Sequence, residues 1–359
     1  MTRDHSASQT NGWRLSSQQL YRPRWRQPER IVRWLGGVQA QYPDWAHWSI
    51  GLRLRDSTAA EVRRAVAERR IVRTWAFRGT LHYVATSDVP WLIPLLAPAI
   101  VKRNARRYRE LGLDADTFAQ SRRVVYNALE PGEPLVRAEV ARALESAGIS
   151  AQGQRIHYLV QRAALDGLIC HGLPRERDPT YVLLSQWIGS QTAQTPSDAL
   201  PARADRYFSS HGPATVQVFA WWSGLPVAAA RRALSLTQSL VRFEGGDTTF
   251  WAGLEPNDWQ LSQTAYLLPP YDEYMLGYRD RSTVLDPAYA KLVNAGGGMP
   301  RPTIILNGRV VGTWKRTIRA DRIVATFELF SELDGNERSA VGAAARRYGA
   351  FHSLPLGIQ

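Results

Sequence analysis

Residues 117–187, TFAQSRRVVYNALEPGEPLVRAEVARALESAGISAQGQRIHYLVQRAALDGLICHGLPRERDPTYVLLSQW, read as three short helices followed by two strands. Asp116 or Thr117 caps a helix running to Ala128, and Pro131-Gly132 breaks it. From Pro134 to Ala147, Val136, Val140, Leu144 and Ala147 recur near helical spacing, and Gly148 ends the run. Gln152 to Leu165 puts Ile156, Leu159, Val160 and Ala163 on one face. After Gly167, LIC and YVLLSQW form two strands around the polar tip HGLPRERDPT. Helix, helix, helix, hairpin is the order of a winged helix-turn-helix.

The same order recurs on both sides. In 18–86, Pro28 to Leu35, Asp44 to Leu54 and Thr58 to Arg69 are helical, and IVRTWAF and TLHYVAT make a hairpin joined at Arg78-Gly79. In 200–252, ALPARADRYFSSHG, PATVQVFAWWSGL and PVAAARRALSL are helices, and LVRFEGGDTTFWA is a hairpin around Gly245-Gly246. After residue 256 apolar and polar residues alternate, Asn307-Gly308 signals a hairpin, NAGGGMP at 294–300 is a flexible loop, and a helix covers Asn336 to Tyr348. The expected fold class is α+β, tandem winged helix-turn-helix units with a C-terminal β-rich, barrel-like region. The expected boundaries are 12–115, with a basic helix, then 116–190, 198–255 and 256–355. A general α+β fold that merely alternates helices and hairpins is the competing reading.

At 359 residues, two or three domains are expected on a prior of about 150 residues each. Hydrophobic residues make up 44% and charged residues 21%, which excludes a mostly disordered chain. No apolar run approaches the ~20 residues of a membrane span. The start, MTRDHSASQTNGWR, has no apolar core of a signal peptide, so a cytoplasmic, nucleoid-associated location is expected. Cys170 is the single cysteine, which excludes an intramolecular disulfide and cysteine-rich zinc sites.

Net charge is +13, and 42 of the 45 basic residues are arginine. Residues 1–110 hold 20 basic and 8 acidic side chains, and the remainder 25 and 24. A GC-rich genome accounts for arginine over lysine but not for this localisation, so the expected partner is nucleic acid. Within VPWLIPLLAPAIVKRNARRYREL (89–111), Lys102, Arg103, Arg106, Arg107 and Arg109 put several charges on one helical face. That pattern suits a helix tracking phosphates, or a solvated face.

Common catalytic signatures are missing: no HExxH, GxSxG, Walker A loop or zinc-deaminase pattern occurs. The glycines at 296–298 neither follow a clear strand nor open a helix, and no cluster of carboxylates suggests a two-metal nuclease. No metal or cofactor is expected. LGGVQAQYPDW at 35–45 stands out, because Gln39 and Gln41 flank one small residue and in an extended segment face the same way. Two such amides suit a base edge, a water or a phosphate oxygen; a surface QAQ can equally be inert.

LGGVQAQ, FRGTLHYV (77–84), LLPPYDEYMLGYRDRS (267–282) and GRVVGTW (308–314) occur in the order found in the AlkZ family of bacterial DNA glycosylases. The chain resembles that family over about residues 12–350. These are tandem winged-helix proteins related to the YcaQ branch. The family's catalytic Gln–apolar–Gln maps onto Gln39 and Gln41 with Ala40 between, whereas the YcaQ branch carries Gln-x-Asp. The resemblance implies hydrolysis of the N-glycosidic bond of an alkylated purine, chiefly N7-alkylguanine. It also implies a role in repair or self-resistance to DNA-alkylating natural products, with interstrand crosslinks unhooked by some members.

The residue chemistry permits this reaction. Glutamine is no general base near neutral pH. An N7-alkylguanine already carries positive charge and leaves as a neutral base, so amides that orient water and stabilise an oxocarbenium ion suffice. Asp44 either contributes beside the motif or caps a helix, and Asp272 either lines the cleft or ties its loop. Trp314, Lys315 and Arg316 lie on a hairpin suited to a DNA groove, and Arg78 at a turn suits a phosphate. The expected protein is a monomeric, monofunctional glycosylase acting on double-stranded DNA carrying alkylated purines. Its rival is a non-enzymatic winged-helix DNA-binding protein or transcription regulator, which usually dimerises to match half-sites.

Overall fold

Pro28 at a first helical position and Gly36 in the left-handed conformation (φ 79°) punctuate the helix between them, and the computed structural model places that helix at Pro28–Leu35. The structure describes residues 7–189, 196–245, 247–253, 264–294, 296 and 299–359. Gly246 of the third hairpin and residues 295, 297 and 298 of the glycine loop therefore lie outside the described residues.

The chain opens with α1 (Ala7–Ser17), α2 (Pro28–Leu35), β1 (Val38–Gln39), α3 (Pro43–Gly51), α4 (Ala59–Ala67), β2 (Ile71–Trp75) and β3 (Leu81–Ala85). Thr58 and Glu61 form a reciprocal capping box that starts α4. The long α5 (Val89–Glu110) buries its apolar half, Trp91, Leu92, Ile93, Leu96 and Ile100, in the same core as Phe77 and Val84. Next come α6 (Ala115–Leu129), β4 (Leu135–Val136), α7 (Arg137–Ser146), α8 (Arg155–Leu165), β5 (Ile169–His171), β6 (Thr180–Leu183) and α9 (Leu184–Ile188). Asp114, rather than Asp116 or Thr117, caps α6 by accepting from the Thr117 N–H.

The third run is α10 (Pro196–His211), α11 (Val216–Ser223), α12 (Val227–Ser235), β7 (Val241–Gly245) and β8 (Thr248–Ala252). The C-terminal part holds β9 (Ala265–Leu268), α13 (Glu273–Leu276), α14 (Ala290–Val293), β10 (Thr303–Leu306), β11 (Arg309–Ile318), β12 (Ile323–Leu329), α15 (Gly335–His352) and β13 (Leu356–Ile358).

The first two runs share one sheet of six strands, ordered β1-β3-β2-β5-β6-β4. Each contributes three strands, and the seam is the antiparallel pairing of Arg73 with His171. The C-terminal strands form a separate sheet, β13-β12-β11-β10-β9, that curls against α15, with β13 and β9 at its edges among the described residues. One core joins the first run to this sheet; a second joins α5 to the second and third runs.

Two sequence expectations need correction. YVLLSQW leaves the strand at Leu183 and turns helical as α9. LLPPYDEYM keeps only the end of β9 and then forms α13, capped by Asp272. The helix α1 carries no expectation, yet its Arg14 donates to the Pro213 carbonyl, and Gln18 just after it donates to the Tyr278 hydroxyl.

Candidate active site

The glutamine pair sits where α2 gives way to the six-stranded sheet. Gly37 passes so close to Phe77 that a Cβ there would lie 2.7 Å from the ring. The chain then enters β1, pairing Val38 with Tyr83 and Gln39 with His82, and the Ala40 N–H donates to the Leu81 carbonyl at 2.7 Å. Arg73 reaches across from β2. Its Nε donates to the Ala40 carbonyl at 2.9 Å and its Nη2 to the Gln41 carbonyl at 3.3 Å. Arg73 is 9% exposed, and burial lowers its pKa.

Period-two alternation would turn both amides one way, but β1 ends at Gln39. Gln39 is 8% exposed and stands opposite His82. Gln41 is half-buried and lines a cavity of about 870 Å³, and its Oε1 is buried with no hydrogen-bond partner among the described residues. Arg73, Trp75, His157, His171 and Tyr181 line the same cavity, and exposed Arg137 and Asp178 stand at its mouth with opposite charges. Burial depresses the His171 pKa to about 3 and that of His82 to about 4, so both rings are neutral near pH 7. No group of three or more His, Cys, Asp and Glu that could hold a metal occurs among the described residues.

A second cavity, about 330 Å³, brings together Arg78, Lys102 and Arg103 with Ser223 and Gly224 at the end of α11. Arg78 donates to the Trp222 carbonyl at 2.9 Å, and burial lowers its pKa. Arg106 and Arg107 lie farther along α5, and both pair with Glu110 at 2.8 Å.

The hairpin residues separate. Lys315 is exposed, but Trp314 is 1% exposed and donates its indole N–H to the Leu268 carbonyl, so it belongs to the core rather than to a DNA-facing surface. Arg316 lies 3.7 Å over the Trp45 ring and bonds the Tyr348 hydroxyl. Adjacent strand residues face opposite ways, and β11 turns Trp314 inward and Lys315 outward, so the two do not share one groove-facing side.

Asp44 is exposed in the first turn of α3, whose cap position is Tyr42, so it favours the helix dipole without capping. Asp272 is fully buried and lines no cleft; its two oxygens accept from Arg53 at 2.7 and 2.8 Å and from Ser49 at 2.6 Å. Arg73, Trp75, His171 and Tyr181 were missed. The available signal was the lone charge inside the apolar strand IVRTW, since an arginine buried there must satisfy its donors nearby.

A family profile described as DNA glycosylase AlkZ-like matches residues 32–351. A protein named interstrand DNA cross-link repair glycosylase, from Streptomyces sahachiroi, is 27% identical over 98% of both chains. The solved structure of Streptomyces sahachiroi DNA glycosylase AlkZ superposes with a TM-score of 0.81 at 24% identity, covering 99% of this chain and 100% of that one. That structural likeness establishes a shared fold, and no helix among the described residues is long and apolar enough to cross a membrane. With most of its length matched by the profile, the chain belongs to the AlkZ-like DNA glycosylase family.

Proposed function

We propose that this glycosylase hydrolyses the N-glycosidic bond of N7-alkylated guanine in double-stranded DNA, bulky and crosslinked adducts included. It acts as a monofunctional, monomeric enzyme in the cytoplasm, in repair or in self-resistance to an alkylating natural product. The crosslink substrate is suggested by the name of the Streptomyces sahachiroi relative. We read each helix–helix–helix–hairpin run as a winged helix-turn-helix unit, the three units carrying the duplex past the glutamine pair.

The observation that carries the reading is Gln41 Oε1, buried without a partner among the described residues beside a cavity whose lining holds one carboxylate, Asp178. An acceptor of this kind orients a water or faces an oxocarbenium ion. It neither protonates a leaving base nor deprotonates water. The cationic N7-alkylguanine needs neither, because its glycosidic electrons flow into a ring that becomes neutral on leaving. Positioning and electrostatics supply the acceleration, and Arg73 holds the motif's backbone in place through two carbonyls.

Single-turnover excision from a duplex containing N7-methylguanine tests this. The wild type is expected to release free base and leave an abasic site, and Gln39→Ala/Gln41→Ala to lose at least a hundredfold in rate while still binding the duplex. Salt-sensitive binding by the wild type without excision, on bulky and crosslinked adducts as well, would favour the non-enzymatic DNA-binding reading.

A further inference from the structure

Across the six-stranded sheet, Val38, Tyr83, Arg73, His171, Tyr181 and Leu135 stand in register as one transverse row. Trp75, two residues along β2 from Arg73, shares that face. Its ring stacks on His171 with centroids 5.2 Å apart, and His171 lies 4.9 Å from Tyr181. All three rings line the cavity beside Gln41. Its volume, about 870 Å³, exceeds what one purine fills and leaves room for a substituent.

His171 adds a polar feature to this wall. The residue is 5% exposed, and its Nδ1 meets the Thr180 carbonyl at 3.1 Å. A carbonyl only accepts, so Nδ1 carries the proton and Nε2 presents a lone pair. That Nε2 is buried with no hydrogen-bond partner among the described residues. Burial holds the ring's pKa at about 3, which keeps Nε2 an acceptor at working pH. A ligand suited to the cavity is therefore planar, stacks, and brings an N–H.

The geometry points to a base-binding site: an alkylated guanine not tethered to the opposite strand swings out of the duplex into this cavity, lies against Trp75 and Tyr181, and donates an N–H of its Watson–Crick edge to His171 Nε2. The site rests on the glycosylase reading above and adds where the base goes and what reads it. Gln41 Oε1, at the same cavity, is left to the sugar and the attacking water. The ring faces favour a cationic base. Arg137 and Asp178 offset one another at the mouth, and the guanidinium of Arg73, which also lines the cavity, is turned onto the Ala40 and Gln41 carbonyls. Swinging the base out costs a few stacking and pairing interactions, which the wall replaces.

The test compares N7-methylguanine with N7-methylpurine in one duplex. The second base keeps the charge and ring but lacks every Watson–Crick N–H. Each single-turnover rate is divided by the spontaneous loss of that base. The wild type is expected to accelerate loss of the guanine derivative roughly tenfold more, the scale of one unmet buried acceptor. His171→Phe keeps a stacking ring without the lone pair and should accelerate both alike. Ala138→Trp, on the exposed rim formed by α7, should block excision without weakening duplex binding.

Equal acceleration of both bases by the wild type would overturn the base site while leaving the glycosylase reading intact. So would a full guanine preference in folded His171→Phe, or undiminished excision by Ala138→Trp. Excision of neither base by the wild type would remove the glycosylase reading, and the base site with it.

Discussion

Arg73 is the residue on which the motif's geometry depends. Its charge is buried, and its guanidinium is directed at two main-chain carbonyls, so it acts on backbone position rather than on a substrate. A displacement of about 1 Å at a reacting centre can cost a hundredfold in rate. Arg73→Met is therefore expected to lower single-turnover excision by about ten- to a hundredfold with cooperative unfolding retained, and Arg73→Lys to restore part of the loss. Unchanged excision in folded Arg73→Met would mean that α2, α3 and β3 alone hold the glutamines. The role was hard to read from sequence, where an arginine in IVRTW is only an oddity. Its meaning comes from β1 lying two strands away across β3, a long-range pairing with no local signature.

At the scale of elements, α5 divides its charges. Lys102 and Arg103 line the smaller cavity with Arg78, while Arg106 and Arg107 are already paired with Glu110. Each phosphate contact contributes about 0.9 to the slope of log binding constant against log salt. Lys102→Ala/Arg103→Ala should reduce that slope by about 2, and Arg106→Ala/Arg107→Ala by less than 1. Equal reductions, measured by salt titration of duplex binding, would show the whole face tracking the backbone.

The helices were legible where punctuation is local: Pro28 and Gly36 set the ends of α2, and Gly148 follows close behind α7. The two-residue strands β1 and β4 were not, because they exist only through pairing with β3 and β6. In YVLLSQW a short apolar run allows either period, and only the structure shows the change at Leu184.

Over the whole molecule, two adjacent carboxylates tie the C-terminal part to different runs. Asp272 meets Arg53 and Ser49 of the first, and Glu273 meets His211 at 3.3 Å and Trp222 at 3.0 Å in the third. Adjacent in sequence, the two side chains diverge to different runs in the fold. Three buried histidines set the acid limit of this assembly. His47 and His82 have pKa values lowered to about 4 and His171 to about 3, against an ordinary 6.5.

The unfolded chain therefore binds more protons than the folded one below 6.5. Stability is full above that pH and falls as pH drops towards 4, by about 2 kcal/mol per histidine at pH 5. The urea midpoint should fall between pH 7 and pH 5, and a constant midpoint would show that these rings are protonated in the folded state.

The central claim is that an amide pair suffices because the leaving base is already cationic. Its most direct test is single-turnover excision by the wild type of N7-methylguanine and of hypoxanthine, an uncharged lesion, placed in the same duplex. The account predicts rapid release of the first and release of the second at least a thousandfold slower, the scale lost without general acid–base catalysis. Comparable rates would contradict it and require an acid or base beyond Gln39 and Gln41.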